Sequence, residues 1–210
     1  GIEPATVNRL LVDPAPAMRA AAIRVAERWL GEAGHPIHAA VLGRLGDEDL
    51  AVRRQLAASL GALPAGTRET TMVELFERHA SDPVTTDSAL SGLRGSEATV
   101  LAQMMEGRGE QTPQREVIVT MLAAMGLRSG QDAAVQGILA AVTDGRRPNW
   151  LRSALLRGAE VDLLGAVMPG TPPPPVVTSV VCPVCGVGRA PPGGGPCPTC
   201  PGGRAGPGGA

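Results

Sequence analysis

Aromatic side chains are almost missing from this chain. Its 210 residues include one Phe (Phe76), two Trp (Trp29 and Trp150) and no Tyr. Proteins that stack nucleobases or sugar rings spend aromatics on that task, so neither ligand suits this sequence. An excess of one charge is missing too. Nineteen Lys and Arg stand against twenty Asp and Glu, a formal charge of −1. That leaves no broad basic field to draw nucleic acid or anionic lipid. Apolar runs stop at Arg, Glu or Pro well short of the roughly 20 residues that cross a bilayer. The loops that cradle phosphates or carry a serine nucleophile (Gly-x-x-x-x-Gly-Lys, Gly-x-Gly-x-x-Gly, Gly-x-Ser-x-Gly) are absent as well. There is no initiator Met and no leader; the chain opens in mid-pattern at Gly1-Ile2-Glu3-Pro4. It therefore reads as a fragment of a longer polypeptide.

What remains is small and aliphatic. Hydrophobic residues make up 43% of the chain, enough for a sizeable core built from Ala, Leu, Val, Ile and Met. Such side chains suit helices that approach one another closely.

The apolar pattern repeats about every 34 residues. Asp13 and Asp47 are 34 apart, as are Arg19 and Arg53, and Asp82 follows Asp47 by 35. Each unit opens with residues that start helices. Asp or Thr accepts a bond from first-turn N–H groups, and Pro gives up a donor that had no partner there (Asp13-Pro14, Asp47-Glu48-Asp49, Asp82-Pro83, Thr112-Pro113, Pro148). Stripes at spacings of three and four then follow: Met18, Ala22, Val25 and Trp29; Val52, Leu56 and Leu60; Ile118, Met121, Leu122 and Met125. Shorter helical stretches lie between them, at 37–45, 72–80, 98–105 and 133–142. Gly31, Gly46, Pro64, Gly95, Gly107 and Gly130 punctuate the joints. Strand signals are confined to Val176–Val181. The expectation is an all-α fold, an α-solenoid of about five helix pairs over residues 1–165, with a Pro/Gly-rich tail over 166–210. A lone pair cannot bury its stripe, so pairs stack and share one core.

These units, Asp-Pro-x-x-x-Met-Arg-Ala-Ala-Ala and Asp-x-x-x-Val-Arg-x-x-Leu-Ala, resemble HEAT repeats. Val52–Gly61, Ala89–Leu93 and Ala154–Gly158 more narrowly resemble the HEAT segment of large bacterial proteins that join a propeller dehydrogenase to a c-type cytochrome. That resemblance implies a connecting scaffold in a periplasmic redox protein; without it the chain would be placed in the cytoplasm. It carries over no haem residue. A c-type site needs Cys-x-x-Cys-His, whereas Cys185 precedes Gly186 and Cys200 precedes Pro201.

All four cysteines lie in the tail, as Cys182-Pro-Val-Cys185-Gly and Cys197-Pro-Thr-Cys200. Two such pairs can supply four thiolates to tetrahedral zinc, and the first resembles a zinc-ribbon knuckle. The stretch between them lacks the strands a ribbon would pair. Disulfides in an oxidising compartment, or an unliganded linker, are the other readings. His35 and His38 flank a helix joint and read as a solvated turn rather than a metal site. Arg19, Arg24, Arg28, Arg53 and Arg54 either line a binding face or pair with acids of the neighbouring unit. Arg54 reads as a residue of the polar side, one whose removal costs little. Met104, Met105, Met121 and Met125 read as core filler. The functional expectation is a non-catalytic scaffold for a protein partner or for neighbouring domains of the same polypeptide. No small-molecule substrate is identified, and tail zinc is the one candidate cofactor.

Overall fold

The computed structural model describes residues 2–93, 95–107 and 109–167, and the pairs 180–181 and 189–190. The chain divides into two compact units, residues 1–170 and 171–210. The described part of the first is all-α. Its helices are α1 (Pro4–Leu10), α2 (Pro16–Leu30), α3 (Ile37–Leu42), α4 (Leu50–Ser59), α5 (Thr67–His79), α6 (Pro83–Ser91), α7 (Glu97–Glu106), α8 (Pro113–Arg128), α9 (Asp132–Thr143) and α10 (Asn149–Leu164). A short 3-10 turn, Leu60–Ala62, extends α4.

Local chemistry explains where these helices begin. Asp49 caps α4, its carboxylate accepting from the Ala51 and Val52 N–H groups at 2.8 and 3.2 Å. The Thr112 hydroxyl accepts from the Arg115 N–H at 3.1 Å and caps α8. Pro16, Pro83 and Pro113 occupy first-turn positions where a missing N–H costs nothing. Asp13 and Asp47 act one step earlier. Each accepts from the N–H two residues on, Ala15 and Asp49, and so shapes the turn that delivers the cap.

The helices pack in an ordered succession. α2 lies against α4 and α4 against α6, while α5 lies against α7 and α7 against α9. α8 packs on α7 and, most extensively, along α10. α1 packs on α2 and adds a helix ahead of the first unit that the repeat pattern did not single out. The buried side chains form one cluster running from Val7 to Leu155.

Val52, Leu56 and Leu60 are fully buried, as their spacing requires. On α2 the buried face is turned by about one residue from the expected stripe. Ala22, Ile23, Ala26 and Leu30 face inward. Met18 is exposed, and Val25 and Trp29 sit at the margin of the core. The small alanines let α4 approach that side, whereas Trp29 works better at an edge. There its ring stacks on His35, with centroids 6.1 Å apart, and lies beneath the Arg28 guanidinium at 5.5 Å. Met104 is buried, and Met105, Met121 and Met125 flank the core as filler. Trp150, at the start of α10, is likewise half-buried against the core.

In the second unit, β1 (Val180–Val181) pairs antiparallel with β2 (Arg189–Ala190), Val180 opposite Ala190 and Val181 opposite Arg189. The sequence was expected to provide no such pairing. A ladder of two residues per strand is too short to show as alternation. Cys182, Cys185, Cys197 and Cys200 lie outside the described residues.

The contact between α8 and α10 depends on a missing side chain. A Cβ on Gly158 would fall 2.6 Å from the Ala123 Cβ and 2.8 Å from the Thr120 carbonyl oxygen. A Cβ on Gly137, in the middle of α9, would meet nothing within 4 Å. The same substitution should therefore act oppositely at the two positions. Gly137→Ala should raise stability by about 0.5–1 kcal/mol through helix propensity. Gly158→Ala should lower it by about 1–3 kcal/mol through overpacking. Urea midpoints that move in the same direction for both would contradict this packing.

Candidate functional site

Two arginine–carboxylate bridges tie successive units together. Arg19 of α2 donates from Nε to Asp47 Oδ2 at 2.8 Å and from Nη2 to Oδ1 at 2.7 Å. Its third edge reaches the Asp13 carbonyl at 2.9 Å. Arg54 of α4 repeats the two-pronged contact on Asp82, at 3.1 and 3.0 Å. Both bridges span 28 residues. Arg54 is thus a bridging residue on the polar side of α4.

Repeat alignment had matched Arg19 with Arg53. Arg53 keeps half of the role, donating to the Asp47 and Glu48 carbonyls at 2.6 and 3.0 Å. The second interval is one residue longer than the first, so the residue after Arg53 meets the displaced aspartate. Of the two readings open for the arginine set, pairing with acids of the neighbouring unit describes Arg19 and Arg54.

A third cross-link gave no signal in the repeat. Glu69, in the first turn of α5, accepts from the Gly66 N–H, from Arg68 and from the Ser96 hydroxyl 27 residues on. Arg68 also donates to Ser96. Glu69 is 3% exposed. Burial pushes its carboxyl up, but the Ser96 hydroxyl, the backbone N–H donors and Arg68 together hold it down at about 2. The Arg54 guanidinium, helped by the Thr85 hydroxyl, likewise holds Asp82 at about 2, against its burial. Arg19 depresses Asp47 in the same way. Farther along, buried Arg115 joins Glu77 of α5 to the Met104 carbonyl at the end of α7.

The histidines also serve the framework. His38 Nε2 lies 3.0 Å from the Leu30 carbonyl oxygen, and His35 Nδ1 accepts from the Ile37 N–H. His79 Nε2 lies 2.6 Å from the Leu45 carbonyl oxygen and pins the loop after α3 to the end of α5. Among the described residues, no group of three or more His, Cys, Asp or Glu side chains is placed to hold a metal.

A cavity of about 680 Å³ opens where α3 stops short. α3 has six residues and α5 thirteen. The two barely touch, although α2 and α4 pack closely alongside. A wedge remains between the turns, and Thr71, Glu74 and Arg78, one stripe of α5, line it together with Arg44. Arg78 pairs with Glu74 at 2.7 Å. Arg44 approaches Asp47 only to 3.7 Å. Its Nε is buried without a hydrogen-bond partner among the described residues. No helix among the described residues is long and apolar enough to cross a membrane.

Compared with protein-family models, curated proteins and solved structures, the chain gives no match.

The depressed carboxylates set an acid limit. Their ordinary values are 4.5 for Glu69 and 3.8 for Asp82, and the folded values are lower. Their stabilisation is therefore complete above about pH 5 and fades as pH falls towards 2. The urea midpoint should drop across that window. Glu69→Gln and Asp82→Asn should lower the midpoint at pH 7 and flatten its decline between pH 5 and 2. An undiminished acid slope in both variants would show that these groups are not its source.

Proposed function

We propose that residues 1–165 form a HEAT-like α-solenoid that works as a non-catalytic scaffold, holding a protein partner or neighbouring domains of the same polypeptide. The carrying observation is the recurring bridge of 28 residues, Arg19 to Asp47 and Arg54 to Asp82. Such links make each unit depend on the next and hold the intervening surface in fixed register, which suits an extended binding face. The lowered carboxylates fit the same reading. Glu69, Asp82 and Asp47 each have structural partners. A display selection of random 12- to 15-residue peptides against the immobilised chain tests the proposal. A related set of binders should emerge whose affinity falls when Arg19→Ala and Asp47→Ala loosen the stack. No enrichment above an unrelated helical protein would remove the scaffold reading.

A second reading, zinc binding by the tail, is supported by the β1–β2 register. The paired strands bracket residues 182–188, the stretch containing Cys182 and Cys185. A hairpin carrying Cys-x-x-Cys between its strands is the setting in which two thiolates point together. Cys197 and Cys200 would complete a tetrahedron around zinc. Elemental analysis of protein made under reducing conditions should find near-stoichiometric zinc, with four thiols becoming titratable when a chelator removes it. Four freely reactive thiols and no metal would defeat this reading.

A further inference from the structure

We propose that the open face of α10 pairs with the same face of a second copy of this chain, the two helices running antiparallel about a two-fold axis midway between Arg157 and Glu160. The inference stands apart from the scaffold reading.

The face is apolar and bare. Leu156, Leu163 and Leu164 are 51%, 71% and 79% exposed, and Val167, just past the helix, is 72% exposed. With Ser153 and Glu160 they follow one side of α10, away from the buried Leu151, Ala154, Leu155 and Gly158. Single apolar side chains on a surface need no explanation, but a contiguous group marks an interaction site. The neighbouring helix shows what such a face receives. α8 and α10 each have 16 residues, and α8 presents Thr120 and Ala124 to α10. These are the eighth and twelfth residues of α8; the eighth and twelfth of α10 are Leu156 and Glu160. The surface that a helix covers on α8 is therefore open on α10. At the other end of the packing order α1 lies on α2, and no residue of α1 is a large exposed apolar one. A head-to-tail stack of copies finds no matching face there.

Charge and size select a second copy as the occupant. Arg157 and Glu160 are exposed, and neither has an ion-pair partner among the described residues. The other charged groups of α10 are engaged, Arg152 by the Val142 carbonyl and Asp162 by Arg128. The face thus carries one free charge of each sign, three residues apart. An antiparallel two-fold sets Arg157 of each copy opposite Glu160 of the other and forms two pairs. A parallel alignment would set Arg157 on Arg157 and Glu160 on Glu160. Size runs the same way, since the C-terminal half of the face is large and the N-terminal half is small. The same two-fold puts Leu164 over Ser153, beside a groove of about 200 Å³ between α8 and α10 that Val117, Thr120 and Ala154 also line. Glu116, at the rim of that groove, is held by Gln111. A leucine then enters a recess and does not meet another leucine.

Sedimentation equilibrium of the full chain tests the pairing and should show a discrete monomer–dimer equilibrium. Arg157→Glu and Glu160→Arg each bring like charges together, and each should weaken the dimer at least about tenfold. The double variant restores opposite signs and should bring the dissociation constant back to within about threefold of the original. An equimolar mixture of the two single variants should form a heterodimer. Leu164→Ser should weaken the dimer at least about tenfold, whereas Val12→Ser, also exposed but near α1, should leave it unchanged. The substituted side chains are exposed, and circular dichroism checks that each variant folds. A monomer at every concentration would overturn the proposal and leave the face to a different chain. Open-ended association, or a dimer indifferent to the charge reversals, would overturn it as well. So would a double variant that stays as weak as the single ones.

Discussion

The guanidinium of Arg19, spread between its own turn and the aspartate of the next, is the contact on which the rest of the helical unit depends. One planar group fixes three things together. It holds the Asp13 carbonyl, it fixes the entry of α2, and through Asp47 it sets where α4 begins. Asp47 in turn accepts from the Asp49 N–H, and Asp49 caps α4. The chain of dependence runs from a fork-shaped ion pair through a turn to a helix start. Arg54 and Asp82 pass it on to α6. An exposed ion pair contributes little to stability. These pairs differ because the aspartates are largely enclosed; Asp47 also shapes backbone, and Asp82 also accepts from the Thr85 hydroxyl.

Most of the helical order was legible because it is written in strong local signals. Asp, Thr and Pro at helix starts and Gly at joints are read one residue at a time, and 34-residue recurrence reinforces them. The finer register was less legible. On α2 the stripe read through Met18, Ala22, Val25 and Trp29 gave way to one through Ala22, Ile23, Ala26 and Leu30. Spacing alone does not separate neighbouring faces of a helix rich in Ala, whereas close packing against α4 favours the face that carries Ala22 and Ala26. The switch from Arg53 to Arg54 escaped for a related reason. One inserted residue shifts the aspartate, and a flexible side chain on either neighbour can follow it. The Glu69 cross-link left no periodic trace, since it occurs once.

The wedge beside α3 was not legible at all. It arises from a difference in helix length, six residues against thirteen, and from the way the loop after α3 is pinned by His79. Neither feature belongs to a motif. The groups that line it are scattered over the α1–α2 turn, the α3–α4 turn and α5, and only packing brings them together.

The scarcity of aromatics has an optical consequence. With no tyrosine, ultraviolet emission comes from two indoles, Trp29 in α2 stacked on His35 and Trp150 at the start of α10. They are 121 positions apart in sequence (150 − 29) and belong to helices near opposite ends of the packing order. Stacked arrays lose cooperativity when their links weaken. Removing one indole at a time would therefore turn the chain into a pair of single-colour gauges, one for each end. The interval between their transitions measures how far the coupling reaches.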